Sequence, residues 1–310
     1  MRRASYRLLR KMRAALPASS TQPAGVSPFR ARLLRWTRAN LVPRSKVWVK
    51  VEHGLANGLW LRLHLPEETF LWRGDHEPDV QALLAKFLRP GSIAYDVGSY
   101  VGFFALGIAR ALGREGRVFA FEPDPENAAR IREHIAKNSF AAQIQVVEAA
   151  VWRATKESTT SYRRGRQARS QGGVEADGFR PVLASGEHIL VSSISLDEFI
   201  ARGNPPPQLM KIDVEGGETA VLAGAERLLA EHQPLIICEV HHVEAARWIE
   251  EWLPARGPCT SNTSESFARR GVGNPESPMP AMGLYILPVQ VASMHSRFPI
   301  GCVMEHVRLQ

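Results

Sequence analysis

The chain has 310 residues, 45% of them hydrophobic and 23% charged, with a formal net charge of +8, a length that suits one large domain with extensions or two small ones. No apolar run approaches the about 18 to 20 residues that a membrane-crossing helix needs. Three widely spaced cysteines, Cys238, Cys259 and Cys302, with no CxxC pair, indicate neither a disulfide framework nor a zinc site, and a reducing cytoplasm fits best.

The positive charge is confined to one end. Residues 1–50 hold 13 Lys and Arg and no Asp or Glu, whereas the rest of the chain holds 26 basic and 31 acidic residues. The body is therefore mildly acidic, which argues against a broad nucleic-acid surface. In the basic arm, residues 1–45, MRRASYRLLRKMRAAL sets Tyr6, Leu8, Leu9, Met12 and Leu16 among six basic residues. This could be a short amphipathic helix touching an anionic membrane or acidic partner, a transit peptide, or a solvated arm. LPASSTQPAGVSP is a linker in composition, and FRARLLRWTRANL reads as a second basic helix.

From Val47, VWVKVEHGLANGLWLRLHL alternates apolar and polar residues around Asn57-Gly58, the signal of a hairpin. Asp79 to Leu88 is predicted helical and is stopped by Pro90-Gly91. A β-α alternation follows. SIAYDV, RVFAFE and IQVVEAAV read as strands. Between them lie a helix from Gly102 to Leu112 and another with Asp124 as N-cap, Pro125 in its first turn and Ala128, Ile131 and Ile135 inward. Trp152 to Leu190 breaks the rhythm with glycines and Arg163, Arg164, Arg166 and Arg169, and reads as an insertion or lid. Then come a helix at Leu196 to Ala201, the strand QLMKIDV, one helix striped by Val221, Leu222, Ala225, Leu228 and Leu229, the strand LIICEV, and a helix from Val243 to Leu253. Strands this apolar belong to a parallel sheet covered on both faces, and right-handed crossovers make it a doubly wound, Rossmann-like α/β sheet.

Ligands of such sheets lie beyond the carboxyl ends of the strands. There the sequence places Asp96, Glu122, Glu148, Asp213 and Glu239. In Asp96-Val-Gly98-Ser99-Tyr100-Val-Gly102, the glycines allow a sharp exit from the strand and a close helix start. Glu122 can accept the ribose hydroxyls of an adenosine moiety. Tyr100 stands where a dinucleotide loop has its second glycine, and Asp96 adds negative charge, so a cofactor carrying adenosine and a positive charge, S-adenosylmethionine, fits better than a pyrophosphate. In KIDVEGGE, Lys211 either forms a structural ion pair with Asp213 or Glu215 or serves catalysis, and Glu215 or Glu218 could complement the helix dipole. His241, and less so His242, could take a proton from an acceptor hydroxyl. Asp213, Glu239 and His241 could also hold a divalent metal, but nothing in their spacing compels it and no metal is assigned.

DVGSYVGFFAL, VFAFEPDPENAARIREHIAKN, SLDEFI and above all MKIDVEGGETAVLAGAERLL resemble the FkbM-type family of S-adenosylmethionine-dependent methyltransferases, from about His76-Glu77 to His241. The resemblance implies a class I methyltransferase fold over residues 46–256. It puts Asp96, Gly98 and Gly102 at the methionine end of the cofactor, Glu122 on its ribose, and methyl transfer onto a hydroxyl of a sugar, polyketide or similar small metabolite. Ser99, Tyr100 and Glu148 complete the expected cofactor-binding set. Asp213 or His241 is the expected base, oriented by Glu215 or Lys211. The family usually has Ala-Asn where this chain has Ser99-Tyr100. Two rivals are a nicotinamide-dependent oxidoreductase and a non-catalytic methyltransferase-like module recruited to membranes by the basic arm.

Residues 257–310 contain no Lys, no Asp and four of the seven Met. GLYILPVQVAS could supply part of a terminal antiparallel hairpin, but the composition favours a poorly packed tail outside the fold, such as a shifted reading frame after GPCT would leave.

Overall fold

In a computed structural model, residues 46–65, 67–165, 173–174, 186–252 and 283–288 are described. The central sheet contains β3 (Ile93–Val97), β4 (Arg117–Phe121), β5 (Ile144–Val147), β10 (Leu209–Ile212), β11 (Leu235–Val240) and β12 (Gly283–Pro288). Its order is β12-β11-β10-β3-β4-β5, with five strands parallel and β12 antiparallel to β11. This is the expected class I methyltransferase, Rossmann-like fold. From β3 the chain winds outward through β4 and β5, then returns to lay β10 against the other edge of β3. The order therefore reverses between β3 and β10, where such sheets open a crevice. Lys211 and Asp96 are direct register partners across that seam.

Helices cover both faces. One apolar layer holds Leu84 of α2 (Pro78–Phe87), Phe104 and Ile108 of α3 (Phe103–Leu112), and Ile131 and Ile135 of α4 (Pro125–Asn138). The other holds Tyr95 and Phe121 from the sheet against Phe199 of α5 (Leu196–Ala201) and Ile249 of α8 (Val243–Trp252). Burial on both faces is why the strands carry so few polar positions. The helix starts follow the sequence: the Asp124 carboxylate accepts from the Glu126 amide at 2.8 Å, with Pro125 in the first turn of α4. Among the described residues no helix is long and apolar enough to cross a membrane.

The structure adds detail to four of the expectations. The hairpin of β1 (Val47–Lys50) and β2 (Trp60–Leu63) forms, but Lys50 pairs with Trp60, so Asn57-Gly58 lies in a longer loop and not in a two-residue turn. The single helix expected around Val221 to Leu229 is two, α6 (Glu218–Ala223) and α7 (Glu226–His232). The break lies at Gly224, where a Cβ would strike the Trp152 carbonyl. Asp197 stabilises the break by accepting from the amides of Arg227 at 3.0 Å and Leu228 at 2.9 Å. The apolar stripe continues through the break, so periodicity alone cannot reveal it.

The insertion after Trp152 is built of strands. β6 (Ala150–Val151), β7 (Lys156–Gly165), β8 (Gly173–Val174) and β9 (Gly186–Ile194) form a separate sheet in the order β6-β9-β7-β8. Arg163 and Arg164 lie on β7, while Arg166 and Arg169 fall outside the described residues. Of the two readings of residues 257–310, the antiparallel strand is seen at Gly283–Pro288, which adds β12 to the central sheet. The rest of 253–310, Cys259 and Cys302 included, and the two basic helices expected in residues 1–45 lie outside the described residues.

Candidate active site

Asp96 is the buried penultimate residue of β3, and the chain leaves the strand through Gly98 at φ 83°. A Cβ at Gly98 would collide with the Asp213 carbonyl, so only glycine lets this loop pass the end of β10. Ser99 fixes the turn by donating to the Asp96 carbonyl at 2.8 Å. Tyr100 adopts φ 49°, a left-handed conformation that costs a non-glycine residue energy. Its hydroxyl donates to Glu68 at 2.6 Å, and Glu68 is clasped by Arg130 at 2.9 and 2.6 Å. The tyrosine that departs from the family pattern is thus tied to a buried ion pair between the loop before α1 (Thr69–Arg73) and α4. Gly102, also left-handed at φ 82°, opens α3.

Neither carboxylate oxygen of Asp96 has a hydrogen-bond partner, and burial pushes its pKa up. The nearest cation is Lys211, with Nζ 4.0 Å from Asp96 Oδ1. Glu122, just past β4, is buried and accepts from the Asp124 amide at 2.9 Å. Burial raises its pKa to about 8. Glu148 is elsewhere: it is exposed just past β5 and pairs with Arg132 of α4 at 2.8 Å. β5 lies at the sheet edge, two strands from the β3–β10 seam.

On the other side of the seam, Lys211 is buried, donates to Asp213 Oδ2 at 3.0 Å and lies 4.8 Å from the Phe104 ring centroid. Burial would lower its pKa, but Asp213, Asp96, Glu77 and Glu239 raise it above the ordinary lysine value. Lys211 therefore does form the structural ion pair. Burial raises the pKa of Asp213 less than Lys211 and His241 lower it, and the net shift is downward. His241, following β11, reaches Glu218 Oε1 through Nδ1 at 2.8 Å; its Nε2 lies 3.6 Å from Asp213 Oδ1 and 3.7 Å from Glu215 Oε2. Burial opposes its charge, but the Glu218 bond and the nearby Asp213 and Glu215 push its pKa up to about 10. Glu215 adopts φ 52°, and burial raises its pKa to about 7. Burial likewise lifts Glu239 to about 8.

The sequence thus brings Asp96, Lys211, Asp213, Glu215, Glu239 and His241 together. Two further side chains contribute that local sequence does not reveal. Glu218, expected only to complement the helix dipole, is fully buried and bonds both the Gly216 amide, at 2.9 Å, and His241. Glu77, the N-cap of α2 at φ 45°, is close enough to act on Lys211, Glu215 and Glu239. Of the five described non-glycine residues with positive φ, Glu77, Tyr100 and Glu215 fall at this site, and Ser139 and Gln233 cap helix ends.

Residues 96–262, more than half of the chain, match the methyltransferase FkbM domain. The chain belongs to the FkbM methyltransferase family. A relative, 31-O-demethyl-FK506 methyltransferase FkbM of Streptomyces tacrolimicus, is 32% identical over 180 residues, covering 51% of this chain and 69% of that protein. Hexuronic acid methyltransferase AglP of Haloferax volcanii is 30% identical over 166 residues, covering 53% of this chain and 62% of that protein. Among solved structures, methyltransferase FkbM from Methylobacillus flagellatus KT aligns with 20% identity and a TM-score of 0.39, over 55% of this chain and 39% of that one. The FkbM match begins at Asp96, so it takes in both sides of the seam, and it leaves out the Glu68 anchor of Tyr100.

Proposed function

We propose that this FkbM-family methyltransferase moves a methyl group from S-adenosylmethionine to a hydroxyl oxygen of a sugar, polyketide or similar small metabolite. One observation carries the proposal. A buried carboxylate with two unpartnered oxygens, Asp96, stands near the end of its strand, next to Glu122 on one side and the Lys211-Asp213 pair on the other. The residues present suit the cofactor. Asp96 offers two unbonded carboxyl oxygens to its methionine end, and Glu122 offers a carboxylate to its ribose. Bound there, the cofactor would supply an already activated methyl group.

The protein's tasks are then alignment, water exclusion and proton removal. Glu215 is the better base of the acidic cluster, because its side chain is 28% exposed against 5% for Asp213 and 0% for Glu218. An acceptor entering from solvent meets it first. Glu215 takes the hydroxyl proton as the new C–O bond forms. Asp213, held by Lys211, and His241, held by Glu218, stand beside the base and orient the acceptor. The base thus shifts from the expected Asp213 or His241 to Glu215. The names of the relatives, acting on FK506 and on a hexuronic acid, support an oxygen-rich acceptor.

Calorimetric titration of the full chain with S-adenosylmethionine tests this proposal. Saturable binding is expected, weakened at least tenfold in Asp96→Ala and in Glu122→Ala. No binding, or binding unchanged in both variants, removes its basis. Transfer of labelled methyl into fractionated cell extract then identifies the acceptor.

A further inference from the structure

We infer that Asp213, Glu239 and His241 form a binding site for a divalent cation of the magnesium or manganese type. One ligand atom from each of the three lies within 4.8 Å of the others. Ligands about 2.1 Å from one octahedral ion are about 3 Å apart when adjacent and about 4.2 Å when opposite, so small side-chain rotations close the cage.

Three independent observations indicate a ligand here. Asp213 Oδ1 and Glu239 Oε2 are buried oxygens with no hydrogen-bond partner, on residues 7% and 6% exposed. Buried carboxylate oxygens are normally bonded, so orphans aimed at one spot imply an absent partner. Next, His241 is oriented as a ligand. Its Nδ1 is engaged by the fully buried Glu218 carboxylate at 2.8 Å, which presents Nε2 toward Asp213 and Glu215. A carboxylate behind an imidazole is the usual support of a metal-bound histidine. The Nε2 distances of 3.6 and 3.7 Å are too long for hydrogen bonds and leave space for an ion between the groups.

Charge is the third. Asp96, Asp213, Glu77 and Glu239 all lie close enough to act on Lys211, and Asp213, Glu215 and Glu218 on His241, so carboxyl groups crowd this spot. Lys211 occupies Asp213 Oδ2, leaving Oδ1 for the ion. A cation at the centre satisfies both orphan oxygens. Carboxylate-rich donors with one imidazole favour a hard divalent ion over thiophilic metals. Its open positions would hold acceptor oxygens, a role that rests on the methyl-transfer proposal, whereas the binding itself does not.

The test is a titration of the full-length protein, first dialysed against EDTA and without S-adenosylmethionine, with Mn²⁺ alone, following free Mn²⁺ by electron paramagnetic resonance. One saturable site is expected. It weakens at least tenfold in Glu239→Gln and in His241→Gln, and is unchanged in Glu115→Gln, an exposed acid in the turn before β4 at the opposite end of the strands. Thermal unfolding of each variant checks its fold, and the unmodified chain decides the matter without them. No saturable Mn²⁺ site in that chain, or a site unaffected by both substitutions, overturns the inference. Cofactor calorimetry on the EDTA-treated protein is read separately, so loss of the methyl-transfer proposal is distinguishable from loss of the cation site.

Discussion

Glu122 shows how burial at a single residue sets a binding property. Its carboxyl is raised to about 8 by burial, so at neutral pH the free protein holds it largely protonated. If the ribose hydroxyls donate to the charged form, cofactor binding must expel a proton below pH 8. Affinity for S-adenosylmethionine is then expected to climb by up to tenfold per pH unit toward 8 and to level off above it. Calorimetry across pH 6 to 9 should show this slope in the native chain and not in Glu122→Gln; equal slopes would refute the assignment. Glu215 works differently, through the reaction. Glu215→Gln is expected to lower kcat about 10²- to 10⁴-fold while cofactor affinity stays within about twofold, measured by methyl transfer and calorimetry on the same preparation. A variant with near-native kcat would return the base role to Asp213 or His241.

Between elements, His134 of α4 is a small clamp. Its Nε2 accepts from the Arg62 amide of β2 at 2.8 Å, so its Nδ1–H donates to the Val101 carbonyl of the cofactor loop, also at 2.8 Å. Neutral imidazole satisfies both bonds, and burial pushes its pKa down to about 4 from the ordinary 6.5. The sign follows from proton binding: between pH 6.5 and 4 the unfolded chain takes up a proton that the folded chain refuses. Stability from this residue is therefore present above pH 6.5 and is lost as pH falls toward 4, by about 3 kcal/mol at most. Chemical denaturation of the native chain and His134→Gln should give curves that converge as pH drops from 6.5 to 4. Parallel curves would mean the histidine does not titrate as its surroundings dictate. The Tyr100-Glu68-Arg130 contact belongs to the same scale, since it anchors the cofactor loop to α4 and explains how an unusual loop residue is accommodated.

For the whole molecule, the sheet order matters most. Five parallel strands place their acids at one edge, and the reversal between β3 and β10 opens the crevice there. β12 then shields β11, which would otherwise present an unpaired apolar edge and invite association. A chain ending at Arg256 is expected to unfold at lower denaturant and to aggregate more readily than the full chain. Denaturation and light scattering check this; an unchanged midpoint and a monomeric shortened chain would show that β12 does not stabilise the sheet.

Much of this was legible in the residues themselves. Apolar strands flanked by helical stripes dictate a covered parallel sheet, because backbone pairing and burial leave no other arrangement for LIICEV and SIAYDV. Strand-end acids and the KIDVEGGE motif mark the crevice in the sequence itself. Local sequence could not separate Glu148 from Glu122, since both end strands; only the position of each strand in the sheet turns one to solvent and buries the other. Nor could it show Tyr100 bonded to Glu68, 32 residues away, or Glu218 behind His241, 23 residues away. Periodicity reports which face of an element is buried. Which side chains meet across elements depends on strand order and loop paths, and those are decided by packing of the whole chain.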